Sequence, residues 1–109
     1  MKIEIEIDNA KIVELWQTML DSQACGYWAM LVESDALISI LAGHGSATFA
    51  IRDEGMSPRK LTGKSIRRGI TGMLYTCPRH FANWIDGRAD ADTADAFVQC
   101  CLFGEVLYG

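Results

Sequence analysis

The sequence predicts a single α+β domain over residues 1–109, with a small, mainly antiparallel sheet of three to four strands packed against three to four helices. The first observation is the order of the patterns, because runs typical of strands lie mainly in the first half and runs typical of helices fill the second. The second is size: 109 residues, half of them hydrophobic, suit one core rather than two domains.

The N-terminal segment predicts a strand followed by a helix. Residues 2–8 alternate isoleucine with charged side chains, which is the period of a half-buried strand. Asp8 or Asn9 then supplies a helix N-cap, and the helix is expected to stop before Gly26. Its apolar positions follow amphipathic spacing, at Ile12, Leu15, Trp16, Met19 and Leu20.

Three short apolar runs after this helix predict strands, at residues 26–32, 36–42 and 47–53. The pair Ser34-Asp35 is typical of a tight turn, so the first two runs are expected to pair antiparallel. The glycine-rich segment 43–46 could cradle a phosphate with its backbone N–H groups. A hairpin loop is favoured there, because a strand rather than a helix follows it.

A loop at residues 54–58 separates this sheet from the helical half of the chain. The next helix carries its apolar side chains at Ile66, Ile70, Met73 and Leu74. Gly69 and Gly72 weaken that helix by roughly 1 kcal/mol each relative to alanine, or they allow another backbone to come close. Pro78 is expected to end or restart the helix, because it lacks an N–H group.

The last helix begins at Asp90 and Asp92, whose carboxylates suit unpaired N–H groups at a helix start. Gly104 is a plausible C-cap. Large aromatic side chains are expected in or near the core, at Trp16, Trp28, Trp84, Tyr27 and Phe81. Tyr108 could instead anchor a dimer contact.

The most specific segments of the chain lie near its C-terminus. They are Pro-Arg-His-Phe-Ala at 78–82, and Asp-Thr-Ala-Asp at 92–95 running through Gln99 to Phe-Gly-Glu-Val at 103–106 and Tyr-Gly at 108–109. Weaker pieces are the alternating N-terminus, Gly-Tyr-Trp at 26–28, Asp-Glu at 53–54, and Ile66 with Arg68-Gly69 before Met73. Together they resemble a family of short, uncharacterised proteins encoded by bacteriophages and prophages. The resemblance implies expression inside a bacterial cell, hence a cytoplasmic location, and it implies no particular activity.

Charge is sorted by segment along the chain. Residues 58–88 carry seven cations and one anion, whereas residues 1–57 carry three cations and nine anions and residues 89–109 carry four anions, for a total of −6 + 6 − 4 = −4. A solvated cationic face could meet an acidic partner, or it could pair with the chain's own acidic segments. We predict that the candidate interaction surface consists of Lys64, Arg67, Arg68 and Arg79.

No catalytic or metal-binding signature is complete. Cys77 and His80 lie three residues apart, but a zinc site needs further ligands and a nucleophile needs an orienting group. The carboxylates of Asp86, Asp90, Asp92 and Asp95 do not follow the spacing of a calcium loop. The four cysteines are expected to be reduced, and no run of about 18 apolar residues predicts a membrane span.

These observations favour a small phage or mobile-element accessory protein that acts by protein–protein interaction, without catalysis and without a cofactor or metal. Its partner would be an unknown host or phage protein, and a homodimer is a further expectation. The alternative is a nucleic-acid-associated regulator that uses the basic helical face, although the net negative charge of the chain opposes general binding to DNA.

Overall fold

The computed structural model describes residues 7–109, and the strand predicted at residues 2–8 lies outside them apart from its last two residues. In chain order the elements are α1 (Asn9–Ser22), β1 (Ala29–Ser34), α2 (Leu37–Leu41), β2 (Ala47–Ile51), a 3₁₀ turn (Arg52–Glu54), β3 (Ser57–Leu61), α3 (Gly63–Thr76), α4 (Pro78–Ile85) and α5 (Ala91–Phe103). The predicted α+β class is confirmed, with three strands and five helices among the described residues.

Helix α1 begins where the sequence places its cap. The Asp8 carboxylate accepts a hydrogen bond from the N–H of Ala10 at 3.0 Å. The helix ends at Ser22, because Gln23 adopts a left-handed conformation with φ of 53°. Ile12, Leu15, Trp16 and Met19 enter the core, whereas Leu20 stays exposed.

The sheet has the order β1-β2-β3, and both pairings are antiparallel. Every residue of the central strand β2 is buried, and Phe49 and Ile51 belong to the hydrophobic core. The prediction of a strand at 47–53 is therefore confirmed over most of its length. The prediction at 26–32 is offset, since β1 begins at Ala29 and continues to Ser34.

The prediction of a strand at 36–42 is wrong, because this segment forms the short helix α2. Asp35 explains the difference: its N–H donates to the Ser46 carbonyl at 3.0 Å, and its carboxylate accepts the Ser46 N–H at 2.8 Å. The β1–β2 ladder therefore closes at these two residues and leaves the intervening segment without a strand partner. A backbone without a partner must satisfy its polar groups internally, and one helical turn does so. The predicted partner of β1 changes accordingly from 36–42 to β2.

The predicted loop at 54–58 is wrong at its end, because β3 starts at Ser57 and runs through Pro58. Proline is tolerated here since β3 lies at an edge of the three strands described, where one side of the strand needs no ladder partner. The preceding residues Gly55 and Met56 both have positive φ, of 65° and 66°, and this reverses the chain within a short connection.

Helices α3 and α5 pack along each other at very short range. A Cβ atom added at Gly69 would lie 2.9 Å from the backbone nitrogen of Cys101, and one added at Gly72 would lie 2.9 Å from the carbonyl oxygen of Gly104. The expectation that these glycines admit another backbone is confirmed.

The remaining helix boundaries agree with the sequence. Pro78 is the first residue of α4, Asp90 caps α5 by accepting from the N–H of Thr93, and Gly104 ends α5 with φ of 81°. Among residues 7–109, no helix combines the length and the hydropathy needed to cross a bilayer.

Candidate interaction surface

Two of the predicted surface cations lie one turn apart at the beginning of α3. Lys64 and Arg67 are both exposed, because the capping interactions and apolar stripe of the helix turn its other side inward. Thr62 and Ser65 form a reciprocal capping box that sets the start of this helix, and both side chains are partly withdrawn from solvent. The sequence therefore directs the apolar face of α3 into the core and leaves this cationic face outside.

Lys64 and Arg67 differ from Arg59 and Arg88 of the basic segment in their ion pairing. Among residues 7–109 the ion pairs are Arg59 with Glu54 at 3.0 Å and Arg88 with Asp86 at 2.9 Å. Neither Lys64 nor Arg67 has a carboxylate of the described residues within ion-pair distance. Two cations of the basic segment are thus neutralised by the chain's own carboxylates, and the cationic face of α3 is not neutralised within residues 7–109.

Arg68, the next residue along, points at a different target. Its guanidinium donates to the carbonyl oxygens of Cys101 and Leu102, at 2.6 and 3.2 Å. These carbonyls lie in the last turn of α5, where the helix leaves its acceptors unpaired and its dipole favours positive charge. The Arg68 side chain therefore stabilises the packing of α3 against α5.

Arg79 belongs to another element, since it is the second residue of α4, and it is exposed. The helix spacing instead extends the cationic face toward Thr71 and Tyr75, which lie seven and eleven residues after Lys64. Both are exposed, and Tyr75 is 67% accessible. An aromatic side chain this exposed at the far end of a cationic face is typical of a contact surface.

The cationic face borders an open depression of about 430 Å³. Its lining joins Lys64 and Arg67 to Gly43 and Gly45 of the loop that precedes β2. The fold thus brings the predicted glycine-rich loop beside the cationic face, a juxtaposition that their distance in sequence does not reveal. The loop follows α2 and leads into β2, so it joins a helix to a strand and not the two strands of the predicted hairpin.

Cys77 and His80, at the break between α3 and α4, contact different hydroxyl groups. The His80 Nδ1 atom lies 3.2 Å from the Thr93 hydroxyl, whereas the Cys77 sulfur lies 3.5 Å from the Thr76 hydroxyl. His44, the other histidine of the chain, is exposed in the loop before β2. Within residues 7–109 no group of three or more His, Cys, Asp and Glu side chains is arranged to hold a metal ion.

The four aspartates near the C-terminal helix have different roles. Asp86 pairs with Arg88, and Asp92 is exposed in the first turn of α5. Asp90 caps that helix, and hydrogen bonds from the backbone N–H and hydroxyl of Thr93 lower the pKa of its carboxyl group. The capping interpretation is therefore confirmed for Asp90.

Asp95, in contrast, is buried and accepts several hydrogen bonds. Its carboxylate accepts from the indole N–H of Trp28 at 2.7 Å, the hydroxyl of Tyr27 at 2.5 Å and the amide of Gln99 at 3.0 Å. Burial and the bond to Asp95 raise the pKa of the Tyr27 hydroxyl. The expectation that Tyr27 lies in or near the core is therefore wrong, because the residue is exposed and only its hydroxyl bonds to a buried group.

Gln99 extends this network to the chain end. Its side-chain oxygen accepts from the backbone N–H groups of Leu107 and Tyr108, both at 2.8 Å, and its amide donates to the Tyr108 carbonyl at 2.9 Å. The Tyr108 ring stacks on Trp28 with centroids 5.4 Å apart. Tyr108 therefore packs against Trp28 of its own chain. The position of its ring is explained without the dimer contact that the sequence suggested.

Sequence reasoning did not identify this network, although one signal for it exists. No charged residue occurs between Asp95 and Glu105, so α5 is apolar nearly all round. A helix of that kind is buried, and any polar side chain within it must find an internal partner.

Comparisons of the chain with protein-family models, with curated proteins and with solved structures find no match. The geometry of the described residues therefore carries the functional argument.

Proposed function

We propose that this chain is a small binding protein that recognises an acidic protein surface through the cationic face of α3, without catalysis. Lys64 and Arg67 form its centre. The observation that supports the proposal is that both are exposed and unneutralised by any carboxylate within residues 7–109, while Arg59 and Arg88 are paired. The resemblance to phage and prophage proteins makes a host or phage protein inside a bacterial cell the expected partner.

Net charge favours a protein partner over nucleic acid. The chain carries a net charge of −4, so its long-range field repels a phosphate backbone and only the local face attracts one. An acidic protein patch presents fewer charges and can be matched by a small cationic cluster with an aromatic neighbour. Tyr75 is the one observation that favours the alternative regulator, since exposed rings also stack on bases.

Site-specific photo-crosslinking in a bacterial host tests the surface directly. Thr71, exposed on the same side of α3, is replaced by a photoreactive amino acid, and adducts are separated before and after nuclease treatment. We expect a nuclease-resistant adduct with an acidic protein. A nuclease-sensitive adduct would support the nucleic-acid alternative and contradict the proposal.

Matched charge reversals decide whether the cations carry the binding. Lys64→Glu with Arg67→Glu is expected to abolish the adduct, whereas Arg52→Glu with Arg88→Glu changes the net charge equally and is expected to preserve it. Arg79→Glu, tested alone, shows whether α4 contributes to the same surface. An adduct that survives Lys64→Glu with Arg67→Glu would overturn the proposal, provided that circular dichroism shows the variant folded.

A further inference from the structure

Two cysteine sulfurs from different elements approach one hydroxyl group. The Thr76 Oγ1 atom lies 3.5 Å from the Cys77 sulfur and 3.8 Å from the Cys100 sulfur. This hydroxyl is itself held in place, because it donates to the Gly72 carbonyl at 2.7 Å. The fold thus places the thiol at the α3–α4 junction beside a thiol of α5.

The two thiols differ in their access to solvent. Cys77 is half-buried, whereas Cys25, Cys100 and Cys101 are buried, and all four are reduced. A reagent from solution therefore meets Cys77 first.

Helical geometry singles out Cys100 from the adjacent cysteine. Consecutive residues of a helix point about 100° apart. Cys100 faces Thr76 near the end of α3. Cys101 instead faces Gly69, which lies about two turns earlier in the same helix. The structure therefore pairs Cys77 with one particular thiol of the two.

We propose that Cys77 and Cys100 are a thiol pair that closes to a reversible disulfide when the protein meets a small-molecule disulfide such as oxidised glutathione. The bond would tie the α3–α4 junction covalently to α5. This inference is independent of the partner proposed above, because it requires only the folded chain and the oxidant.

The reaction proceeds by two thiol–disulfide exchanges. The Cys77 thiolate attacks one sulfur of oxidised glutathione, forms a mixed disulfide and releases one glutathione thiolate. The Cys100 thiolate then attacks the Cys77 sulfur and releases the second. The two protein thiols lose two electrons to the oxidant, and their two protons end on the two glutathione molecules.

The buried thiol controls the second exchange. Burial raises the pKa of Cys100 to about 12, although its contact with the Thr76 hydroxyl acts in the opposite direction. Only the thiolate attacks a disulfide, so closure is expected to be slow at neutral pH and faster as the pH rises. Before closure, the mixed disulfide on Cys77 is therefore expected to accumulate.

Mass spectrometry of the intact folded protein tests the pair. Protein treated with oxidised glutathione is quenched with an alkylating reagent at successive times and pH values, then digested and mapped. We expect a transient glutathione adduct on Cys77, replaced by a peptide pair linked through Cys77 and Cys100. Dithiothreitol is expected to reverse the link completely.

Single substitutions separate the two steps. Cys100→Ser is expected to stop the reaction at a lasting adduct on Cys77, and Cys77→Ser to leave Cys100 unmodified. Cys25→Ser is the matched control at a buried thiol, and it is expected to react like the native protein. If native protein keeps the adduct on Cys77 at high pH, or links Cys77 to another cysteine, the proposed pair is wrong. The native protein alone decides this, so a variant that fails to fold does not affect the result.

Discussion

Helices α3 and α5 have nearly equal lengths of 14 and 13 residues and pack along each other, yet they use their polar residues differently. In α5, the residues from Thr93 to Leu102 are all buried, and the side chains of Asp95 and Gln99 bond to other parts of the chain. In α3, burial recurs at the spacing of one helix face, and Lys64 and Arg67 remain on the other face.

Polar side chains of α5 are thus engaged within the fold, whereas Lys64 and Arg67 of α3 are exposed. In α5, Asp95 and Gln99 hold the fold together by fixing Trp28 and the chain end. The C-terminal segment that contains these residues is therefore occupied by structural contacts. In α3, the cations form no comparable contacts within the described residues apart from Arg68, so a partner is expected there.

The largest effect is expected from Asp95→Ala, which removes the acceptor at the centre of the α5 network. The indole N–H of Trp28 and the amide of Gln99 would lose their common partner inside the protein. Each unsatisfied buried donor costs about 1–3 kcal/mol, so we expect the free energy of unfolding to fall by roughly 4 kcal/mol. Urea denaturation measures it.

Asp92→Ala is the matched control for that change. Asp92 lies on the same helix but is exposed in its first turn, so its loss is expected to cost less than about 1 kcal/mol. Equal losses for the two variants would contradict the assignment of a structural role to Asp95.

Gly69→Ala tests the close packing of the two helices. Its new methyl group would lie 2.9 Å from the Cys101 backbone nitrogen, which cannot yield without moving α5. Overpacking of this kind costs about 1–3 kcal/mol, and we expect the upper end because the Cys101 sulfur and the Cys101 backbone both lie too close to the new methyl group. Thermal and urea unfolding check it.

Thr71→Ala controls for helix propensity, since this site is exposed on the same helix and alanine favours helix formation. A stability gain for both variants would show that α3 and α5 can separate at little cost.

The smallest effect sharpens the contrast within α3 itself. Arg68→Gln removes a charged donor to the carbonyls of Cys101 and Leu102, so we expect a loss of about 2 kcal/mol. Arg67→Gln changes an exposed neighbour and is expected to stay within about 0.5 kcal/mol of the native protein. Unfolding curves of the two variants should therefore separate. If both are as stable as the native protein, the contact of Arg68 adds nothing to the fold.

Much of the fold could be predicted because its signals are local. Asp8, Pro78, Asp90 and Gly104 mark helix ends through their own backbone preferences or capping bonds, and each marks a boundary in the structure. The glycines of α3 could be predicted as contact points for a related reason, since a glycine within a helix has a cost that a close approach offsets.

The errors occur where a local pattern fits two structures. Residues 36–42 are apolar enough for a strand, and the long-range bond between Asp35 and Ser46 excludes them from the sheet. Pro58 is a strand breaker in the interior of a sheet, but β3 lies at an edge of the described sheet. Neither the pairing nor the edge position is visible within a short window of sequence.

The candidate site was predictable only in part for the same reason. The sequence places four cations close together along the chain, but it cannot tell which of them bonds internally. Arg67 and Arg68 are adjacent and chemically identical, and only the position of the last turn of α5 distinguishes them. The thiol pair is a stronger example, because Cys77 and Cys100 lie on separate elements that meet at Thr76.

The class of fold, most helix boundaries and the concentration of positive charge in the middle of the chain could all be predicted from the amino-acid sequence. These properties follow from side-chain periodicity, capping and composition, which act between residues near each other in the chain. The sequence does not reveal which cations are neutralised, which aspartate is buried and which thiols meet. Those outcomes depend on contacts between distant segments, and such contacts exist only after the helices have packed on the sheet.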